Sequence, residues 1–228
     1  MPFSLDQVVP WGRSWDEYLR MFAIDDRDLQ RKILGCADGP AAFQAEANKR
    51  GVSVISCDPL YAFSAAEIES RIDACFETVL QQTERNQDGF IWNDAIPNVA
   101  QLGHTRREAM QTFLADFPAG KQEGRYIAAE LPDLPFPADA FDLALCSHFL
   151  FLYDSLGVDF HVRSARSLLA VAQEVRIFPL LQLDRQRSPF VDVVTAAVQA
   201  DGHHAEVIEV DYEFQKGASQ MLRLTRAG

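Results

Sequence analysis

The sequence predicts an α/β protein with a doubly wound sheet of seven strands, a terminal antiparallel hairpin and a helical insertion after the second strand. Short apolar runs alternate with segments of helical periodicity along most of the chain. Apolar runs without internal alternation are typical of parallel strands that are covered on both faces. The last two runs follow each other with no room for a helix, which indicates an antiparallel pair.

Five apolar runs are expected to form the parallel part of the sheet. They cover residues 32–36, 53–58, 125–130, 141–147 and 174–179. The alternating run 205–214 and the run 220–226 flank a Lys-Gly turn at residues 216–217. This arrangement predicts an antiparallel hairpin on the edge of the sheet.

Helix starts and stops in the sequence support the same order of elements. Three capping-box patterns precede helical segments, namely Ser14-x-x-Glu17, Ser64-x-x-Glu67 and Thr105-x-x-Glu108. Pro40 and Pro189 are expected in first turns, and Gly51 and Gly202 are expected just after helix ends. The first capping box opens an N-terminal cap helix over about residues 12–24.

One connection is much longer than a simple crossover, which needs about a dozen residues. More than sixty residues separate Asp58 from Arg125, and they contain predicted helices at 64–84 and 105–117. We therefore predict one domain over residues 1–228 with a helical insertion at about 60–122. The insertion is either a lid or substrate-binding cap over one end of the sheet, or a stabilising subdomain.

The charge balance limits the classes of partner. The chain has 33 acidic and 21 basic residues and a formal charge of −12. This excess of negative charge disfavours nucleic acids and anionic membranes as partners. The first residues carry neither the basic start nor the apolar block of a signal peptide, so a cytoplasmic location is expected. The four cysteines are scattered without metal-ligand spacing, so they are expected to be reduced core thiols, with no metal site.

Small residues end the first strand at Gly35-Cys36-Ala37-Asp38-Gly39, just before Pro40. Such a turn lets a ligand approach the backbone, and the amides of a following helix favour an anionic or electron-rich group. Asp58 ends the second strand about twenty residues later, where a carboxylate can accept hydrogen bonds from a ribose diol. Together these features indicate a nucleoside-cofactor site, and a turn with only a structural role is the alternative.

The dinucleotide version of this turn requires G-x-G-x-x-G, and Pro40 and Ala41 follow Gly39 instead. A nicotinamide-dependent oxidoreductase is therefore disfavoured, and the terminal hairpin disfavours it further.

The turn, Asp58, the segment from Glu130 to Asp142 and the hairpin together resemble the class I S-adenosylmethionine-dependent methyltransferases, in particular their small-molecule, type 11-like branch. The segment is ELPDLPFPADAFD, similar to the acid, L-P-F-P and F-D pattern of that branch. The resemblance covers roughly residues 30–60 and 125–228. It implies a Rossmann-like sheet, S-adenosylmethionine as cofactor and a small-molecule acceptor.

The resemblance also implies roles for individual residues. Gly35, Cys36, Ala37, Asp38 and Gly39 would form the cofactor turn. Asp58 would bind the ribose, and Glu130 or the Leu131 amide would meet the adenine amino group. Ser147 would face the methionine part of the cofactor.

Two residues depart from the family's turn. Ile33 replaces the acid that usually precedes it, for which Asp38 is a substitute, and Ala37 replaces its middle glycine. We expect the Ala37 methyl group to fit if its backbone φ stays below zero.

Other side chains are candidates for the acceptor side. His148 follows the fourth strand and either acts as a catalytic base or only packs. Arg13 or Tyr18 would reach the methionine carboxylate if the N-terminal helix covers the cofactor. In the insertion, Trp92, Arg106 and Arg107 either line an acceptor pocket or, for the two arginines, lie on a solvated helix face. Two functions follow, a methyltransferase or a non-catalytic S-adenosylmethionine-binding sensor or scaffold that kept the fold.

Overall fold

A computed structural model describes residues 9–227 and contains the predicted seven-stranded sheet, in the order β3-β2-β1-β4-β5-β7-β6. The first five strands pair in parallel, and β7 is antiparallel to both β5 and β6. The strands are β1 Ile33–Cys36, β2 Val54–Cys57, β3 Tyr126–Ile127, β4 Phe141–Ser147, β5 Ala172–Phe178, β6 His204–Glu209 and β7 Gln220–Thr225.

Within residues 9–227, six α-helices cover the sheet and form the insertion. They are α1 Trp15–Met21, α2 Phe43–Lys49, α3 Ala65–Arg85, α4 Val99–Gln122, α5 Val158–Val171 and α6 Phe190–Ala200. The capping boxes at Ser14 and Ser64 are both formed, and such caps stabilise a helix by about 1 kcal/mol. Gly51 and Gly202 follow α2 and α6 with φ of 71° and 87°, as expected for glycine after a helix end.

The sheet is doubly wound because its two faces bury separate apolar clusters. Neighbouring residues of β1 point to opposite faces, so Ile33 packs with α1 and α2 whereas Leu34 packs with α5 and α6. All four residues of β1 are buried, which agrees with the absence of alternation in this run. A third cluster lies within the insertion, between α3 and α4.

The second helix of the insertion is longer than predicted at both ends. The Asn98 side chain caps α4 by accepting a hydrogen bond from the Gln101 amide at 2.9 Å, so Thr105 lies inside the helix and its predicted capping box is wrong. Gly103 continues the helix and meets Leu80 of α3. Pro118 does not end it either, because packing on the neighbouring helix outweighs one missing amide hydrogen bond.

Four further boundaries differ from the prediction. The N-terminal helix is shorter than 12–24, β3 has only two residues, and α2 begins at Phe43, so Pro40 lies before its first turn. The strand predicted at 205–214 ends at Glu209. Residues 210–219 form a loop that contains the predicted Lys-Gly turn, closed by the bond from the Ala218 amide to the Gln215 carbonyl at 2.9 Å. The strand ends early because Tyr212 bonds to Glu17 of α1 and Phe214 contacts the insertion.

The expected absence of a signal peptide and of a membrane span involves different parts of the chain. Residues 1–8, on which the expectation about a signal peptide partly depends, lie outside the described residues. Among residues 9–227, no helix has the length and apolar character needed to cross a membrane.

Candidate functional site

A cavity of about 730 Å³ opens at the carboxyl ends of β1, β2 and β4. The strand order reverses between β1 and β4, which pair directly. Ligands of open parallel sheets bind at this kind of position, and the volume lies within the range of small-molecule sites.

The cavity brings together the predicted cofactor residues and His148, with the exception of Gly35. Gly35 lies below the cavity and does not line it. The lining residues from the prediction are Cys36, Ala37, Asp38, Gly39, Asp58, Glu130, Leu131, Ser147 and His148.

Gly35 has a structural role, because the Asp38 carboxyl group folds back over it. A Cβ atom at Gly35 would lie 1.8 Å from Asp38 Oδ2. Tyr18 donates a hydrogen bond to Asp38 Oδ1 at 2.8 Å, and Ser56 donates to Oδ2 at 2.6 Å. Burial raises the pKa of Asp38 to about 7, and the nearby Asp58 adds to the rise. Asp38 therefore titrates close to neutral pH.

The turn after β1 uses left-handed backbone at two positions. Gly39 has φ of 54°, and the space beside its Cα is open. Ala37 has φ of 57°, so the condition of a negative φ, under which its methyl group was expected to fit, is not met. The Ala37 amide donates to the Cys57 carbonyl at 2.9 Å, which holds Ala37 in this conformation. Left-handed backbone costs about 1–2 kcal/mol for a residue with a Cβ atom.

Asp58 connects the ends of β1 and β2. Its Oδ2 accepts from the Gly39 amide at 2.9 Å and its Oδ1 accepts from the Leu60 amide at 2.8 Å. A carboxylate can accept about four hydrogen bonds, so each oxygen keeps a lone pair for a ligand. Burial raises the pKa of Asp58.

His148 lies directly after β4 with φ of 52°. Its Nδ1 is 3.0 Å from Ser147 Oγ, and its ring packs edge-on against Phe178. Burial lowers the pKa of His148 well below 6.5, and the positive charges of Arg13 and Arg106 lower it further. The imidazole is therefore neutral at physiological pH.

A buried ion pair lies beside the cavity and joins three distant parts of the chain. Arg106 of α4 donates to both carboxylate oxygens of Glu17 in α1, at 2.5 and 2.6 Å, and Tyr212 donates to the same carboxylate at 2.8 Å. Although burial opposes it, Arg106 lowers the pKa of Glu17 to about 2. Arg106 is fully buried and does not line the cavity, so its predicted pocket and surface roles are both wrong.

Arg13 is the second cation of this region and it does line the cavity. Its Nη1 donates to the Trp11 carbonyl at 3.0 Å, whereas its buried Nε has no hydrogen-bond partner among the described residues. Burial and the charge of Arg106 lower the pKa of Arg13. Among the described residues, Arg106 alone forms an ion pair with Glu17, so the positive charge of Arg13 remains at the cavity. Tyr18 is buried behind Asp38 and does not line it.

The insertion forms one wall of the cavity. A stripe along α3 faces it, consisting of Arg71, Ala74, Cys75, Val79 and Thr83, followed by Asn86 just after the helix. At 1.5 Å per residue, the cavity follows this helix from Arg71 to Thr83 for about 18 Å. The N-terminal part of α3 lies near Asp58, because the Arg71 guanidinium stacks on Phe63 at 3.8 Å.

The loop after α3 closes over the far end of the cavity by contacting the hairpin loop. The Ile91 amide donates to the Phe214 carbonyl at 2.7 Å, and Phe90 stacks on Phe214 at 5.0 Å. Trp92 packs on Phe214 from outside the cavity, and Arg107 pairs with Asp73. The prediction that Trp92 and Arg107 line an acceptor pocket is therefore wrong.

Sequence reasoning missed the residues that line this far end. They are Phe90, Leu183, Asp184, Arg185, Phe214 and Gln215. They come from three loops that no local pattern connects. The length of the insertion was the one sign that this end would be covered.

Comparison with known proteins relates the whole chain to an archaeal protein. It is 33% identical over 225 residues to the "Uncharacterized protein MJ0045" of Methanocaldococcus jannaschii, covering 98% of each chain. The chain belongs to the family of MJ0045. No protein-family model matches this chain.

Solved structures with a similar arrangement include three methyltransferases. The magnesium protoporphyrin IX methyltransferase of Synechocystis PCC 6803, solved with bound SAM, is 10% identical with a TM-score of 0.46, covering 89% of this chain and 73% of that chain. A SAM-dependent methyltransferase of Aquifex aeolicus is 12% identical with a TM-score of 0.42, covering 92% of each chain. A SAM-dependent methyltransferase of Thermotoga maritima is 9% identical with a TM-score of 0.45, covering 92% of this chain and 89% of that chain. Similarity at this level assigns neither an activity nor a ligand.

Proposed function

We propose that the protein transfers a methyl group from S-adenosylmethionine to a small-molecule acceptor. The observation that carries this proposal is the link between the glycine turn and Asp58, made by the 2.9 Å bond from the Gly39 amide at the floor of a covered cavity. The terminal antiparallel strand supports the same class of enzyme, because the resemblance to class I methyltransferases implied it. We assign the protein to their small-molecule branch on the sequence from Glu130 to Asp142.

The residues present fit this cofactor. S-adenosylmethionine would supply a methyl group on a positively charged sulfur, which keeps the bonding pair as the methyl group leaves. Asp58 would accept the ribose hydroxyls with its free lone pairs, and the open space beside Gly39 admits the ligand to the backbone. Arg13 would bind the methionine carboxylate, since its Nε is buried without a partner. Asp38 would face the methionine ammonium in place of the acid missing at Ile33.

His148 would position the acceptor. Its neutral imidazole can accept a hydrogen bond from an acceptor hydroxyl or amine and take the proton as the new bond to carbon forms. The wall formed by α3 and the hairpin loop would exclude water from the reacting atoms. This enclosure favours a small molecule over a polymer, and the negative charge of the chain disfavours nucleic acid.

Calorimetric titration with S-adenosylmethionine and S-adenosylhomocysteine tests the cofactor assignment. We expect dissociation constants well below millimolar for the unmodified protein. Asp58→Ala should weaken binding by about 100-fold, since it removes charge-assisted hydrogen bonds worth about 1.5–3 kcal/mol each. Asp184→Ala is the matched control, because Asp184 is an exposed carboxylate at the far end of the same cavity.

The outcomes separate the candidate functions. Failure of both compounds to bind below about millimolar would exclude the methyltransferase. Binding without methyl transfer to any acceptor would favour the sensor or scaffold. A melting temperature for each variant checks that Asp58→Ala still folds, since this side chain also holds two backbone amides.

A further inference from the structure

An arginine without an ion-pair partner lies at the far end of the cavity, away from the proposed cofactor residues. Arg185 belongs to a tight turn after β5, in which Gln182 and Gln186 are hydrogen-bonded at 2.8 Å. The Arg185 amide donates to the Gln182 carbonyl at 3.0 Å, and its φ is 72°. The turn therefore holds Arg185 in a left-handed conformation that a side chain disfavours.

The Arg185 guanidinium packs on the end of the insertion. A Cβ atom at Gly89 would lie 2.9 Å from Arg185 Nη1 and 3.3 Å from Cζ. The carbonyl of the same glycine accepts a hydrogen bond from the Lys216 amide at 3.0 Å. Three separate loops therefore meet at this point, where the exposed Arg185 side chain contacts Gly89.

No carboxylate among the described residues lies within 4.0 Å of this guanidinium. The adjacent Asp184 also lines the cavity, but its Oδ1 accepts from the Gln186 amide. The planar guanidinium is suited to binding a carboxylate through two hydrogen bonds.

The two other arginines that line the cavity, Arg71 and Arg13, lie at its cofactor side. Arg71 stacks on Phe63 close to Asp58, and Arg13 lies beside Glu17 and Arg106. Arg185 is thus the cation that remains for the acceptor.

Aromatic and aliphatic side chains line the cavity together with Arg185 and His148. They are Phe90, Leu152, Tyr153, Phe178, Leu183 and Phe214. Such a lining binds an apolar body and leaves orientation to a few polar groups. Gln215, which donates to the Gln182 carbonyl at 3.3 Å, links the hairpin loop to the arginine turn.

We propose that the methyl acceptor is an apolar, ring-containing small molecule with a carboxylate group, and that Arg185 binds this carboxylate. The acceptor would lie between Arg185 and His148 with its reacting atom at the His148 end. This inference rests on the proposed methyltransferase function, which it extends to the substrate class.

Paired acids and amides test the inference. The probes are 3-phenylpropanoate, indole-3-acetate and 2-naphthoate, each compared with its primary amide in the presence of saturating S-adenosylhomocysteine. Ligand-observed NMR and calorimetry would give the dissociation constants. We expect at least one acid to bind about tenfold or more tightly than its amide, and this preference to disappear in Arg185→Gln.

Two variants guard against a general effect of charge or folding. Arg187→Gln removes a cation from the same turn that is paired with Asp192 and does not line the cavity, so the preference for acids should persist. Gly89→Ala places a methyl group against the Arg185 guanidinium, and it should weaken binding of the acid while leaving that of the amide unchanged. Arg185→Lys should recover part of the preference, since it restores the charge.

Equal binding of acids and amides, a preference that persists in Arg185→Gln, or failure of every acid to bind at 5 mM would each overturn the inference. Titration of S-adenosylhomocysteine alone separates this result from the proposed function. Cofactor binding without a preference for acids would overturn only the substrate class. A preference for acids that needs Arg185, without cofactor binding, would overturn only the methyltransferase.

Discussion

The two ends of the cavity are built in different ways. The proposed cofactor end consists of strand ends and the residues just after them, where backbone amides of Gly39 and Leu60 fix the Asp58 carboxylate. The far end consists of loops from the insertion, from the segment after β5 and from the hairpin, which meet through aromatic contacts around Phe214.

The two ends therefore differ in proposed role: the strand ends bind the common cofactor, and the loops determine specificity for the acceptor. The sheet fixes the ends of β1, β2 and β4, because each of these strands is hydrogen-bonded to a neighbouring strand on both sides. Loops on the far side can change without disturbing the sheet. We therefore expect the cofactor end to be similar among members of the family and the far end to determine the acceptor.

The largest expected effect concerns the ion pair between the two ends. Arg106→Met should lower the free energy of unfolding by about 3–5 kcal/mol, because it leaves the Glu17 carboxylate buried and unpaired. Urea denaturation at pH 7 would measure this change. The ligands of both ends should then bind more weakly, since Glu17 lies on the helix beside Arg13 and also bonds to Tyr212 in the hairpin loop.

The neighbouring arginine provides the control for that experiment. Arg107→Met removes an exposed pair with Asp73, which should cost less than about 1 kcal/mol. The double variant Glu17→Gln and Arg106→Met should recover part of the loss. An Arg106→Met variant as stable as Arg107→Met would contradict a structural role for the buried pair.

The second prediction concerns the cofactor end alone, where the protonation of Asp38 should make cofactor affinity depend on pH. In the protein without cofactor, burial raises the pKa of Asp38 to about 7. A cationic cofactor would favour the ionised form of this carboxyl group. The affinity for S-adenosylmethionine should therefore increase by about tenfold between pH 5.5 and pH 7. Calorimetry at pH 6.5 in two buffers of different ionisation enthalpy would detect the released proton, and Asp38→Asn should release none.

The same group changes folding stability with pH. The unfolded chain loses this proton near the ordinary pKa of 3.8, whereas the folded protein keeps it up to about 7. The contribution of Asp38 to the free energy of unfolding therefore falls as pH rises from about 4 to about 7. A pH-independent difference in stability between Asp38→Asn and the unmodified protein would be inconsistent with the raised pKa.

The smallest expected effect is at the turn itself. Ala37→Gly should raise the free energy of unfolding by about 0.5–1 kcal/mol, because glycine removes the cost of the left-handed backbone and only part of this gain is lost to chain entropy. Thermal or urea unfolding would measure it. Ala196→Gly in the exposed middle of α6 should have the opposite sign, at about 1 kcal/mol. A destabilised Ala37→Gly variant would show that the Ala37 methyl group makes contacts worth more than the strain.

Local features made much of the fold and the cofactor end predictable. Unalternating runs predicted the parallel strands, and the capping boxes at Ser14 and Ser64 predicted two helix starts, because both depend on neighbours close in sequence. The start of α4 was missed although its cap at Asn98 is also local, because continuation of the helix through Gly103 depends on its contact with α3. The sign of φ at Ala37 depends likewise on its bond to Cys57 of the adjacent strand.

The order of elements and the seven-stranded α/β sheet follow from the sequence alone. So do the turn from Gly35 to Gly39 after the first strand and Asp58 at the end of the second. Hydrophobic periodicity and residue type specify these features over a few residues each. The tertiary structure alone buries Arg106 against Glu17 and brings Arg185 to Gly89. It also brings Tyr18 and Ser56 to the Asp38 carboxyl group. These contacts join residues far apart in the chain, and the sheet and insertion must first pack before their side chains can meet.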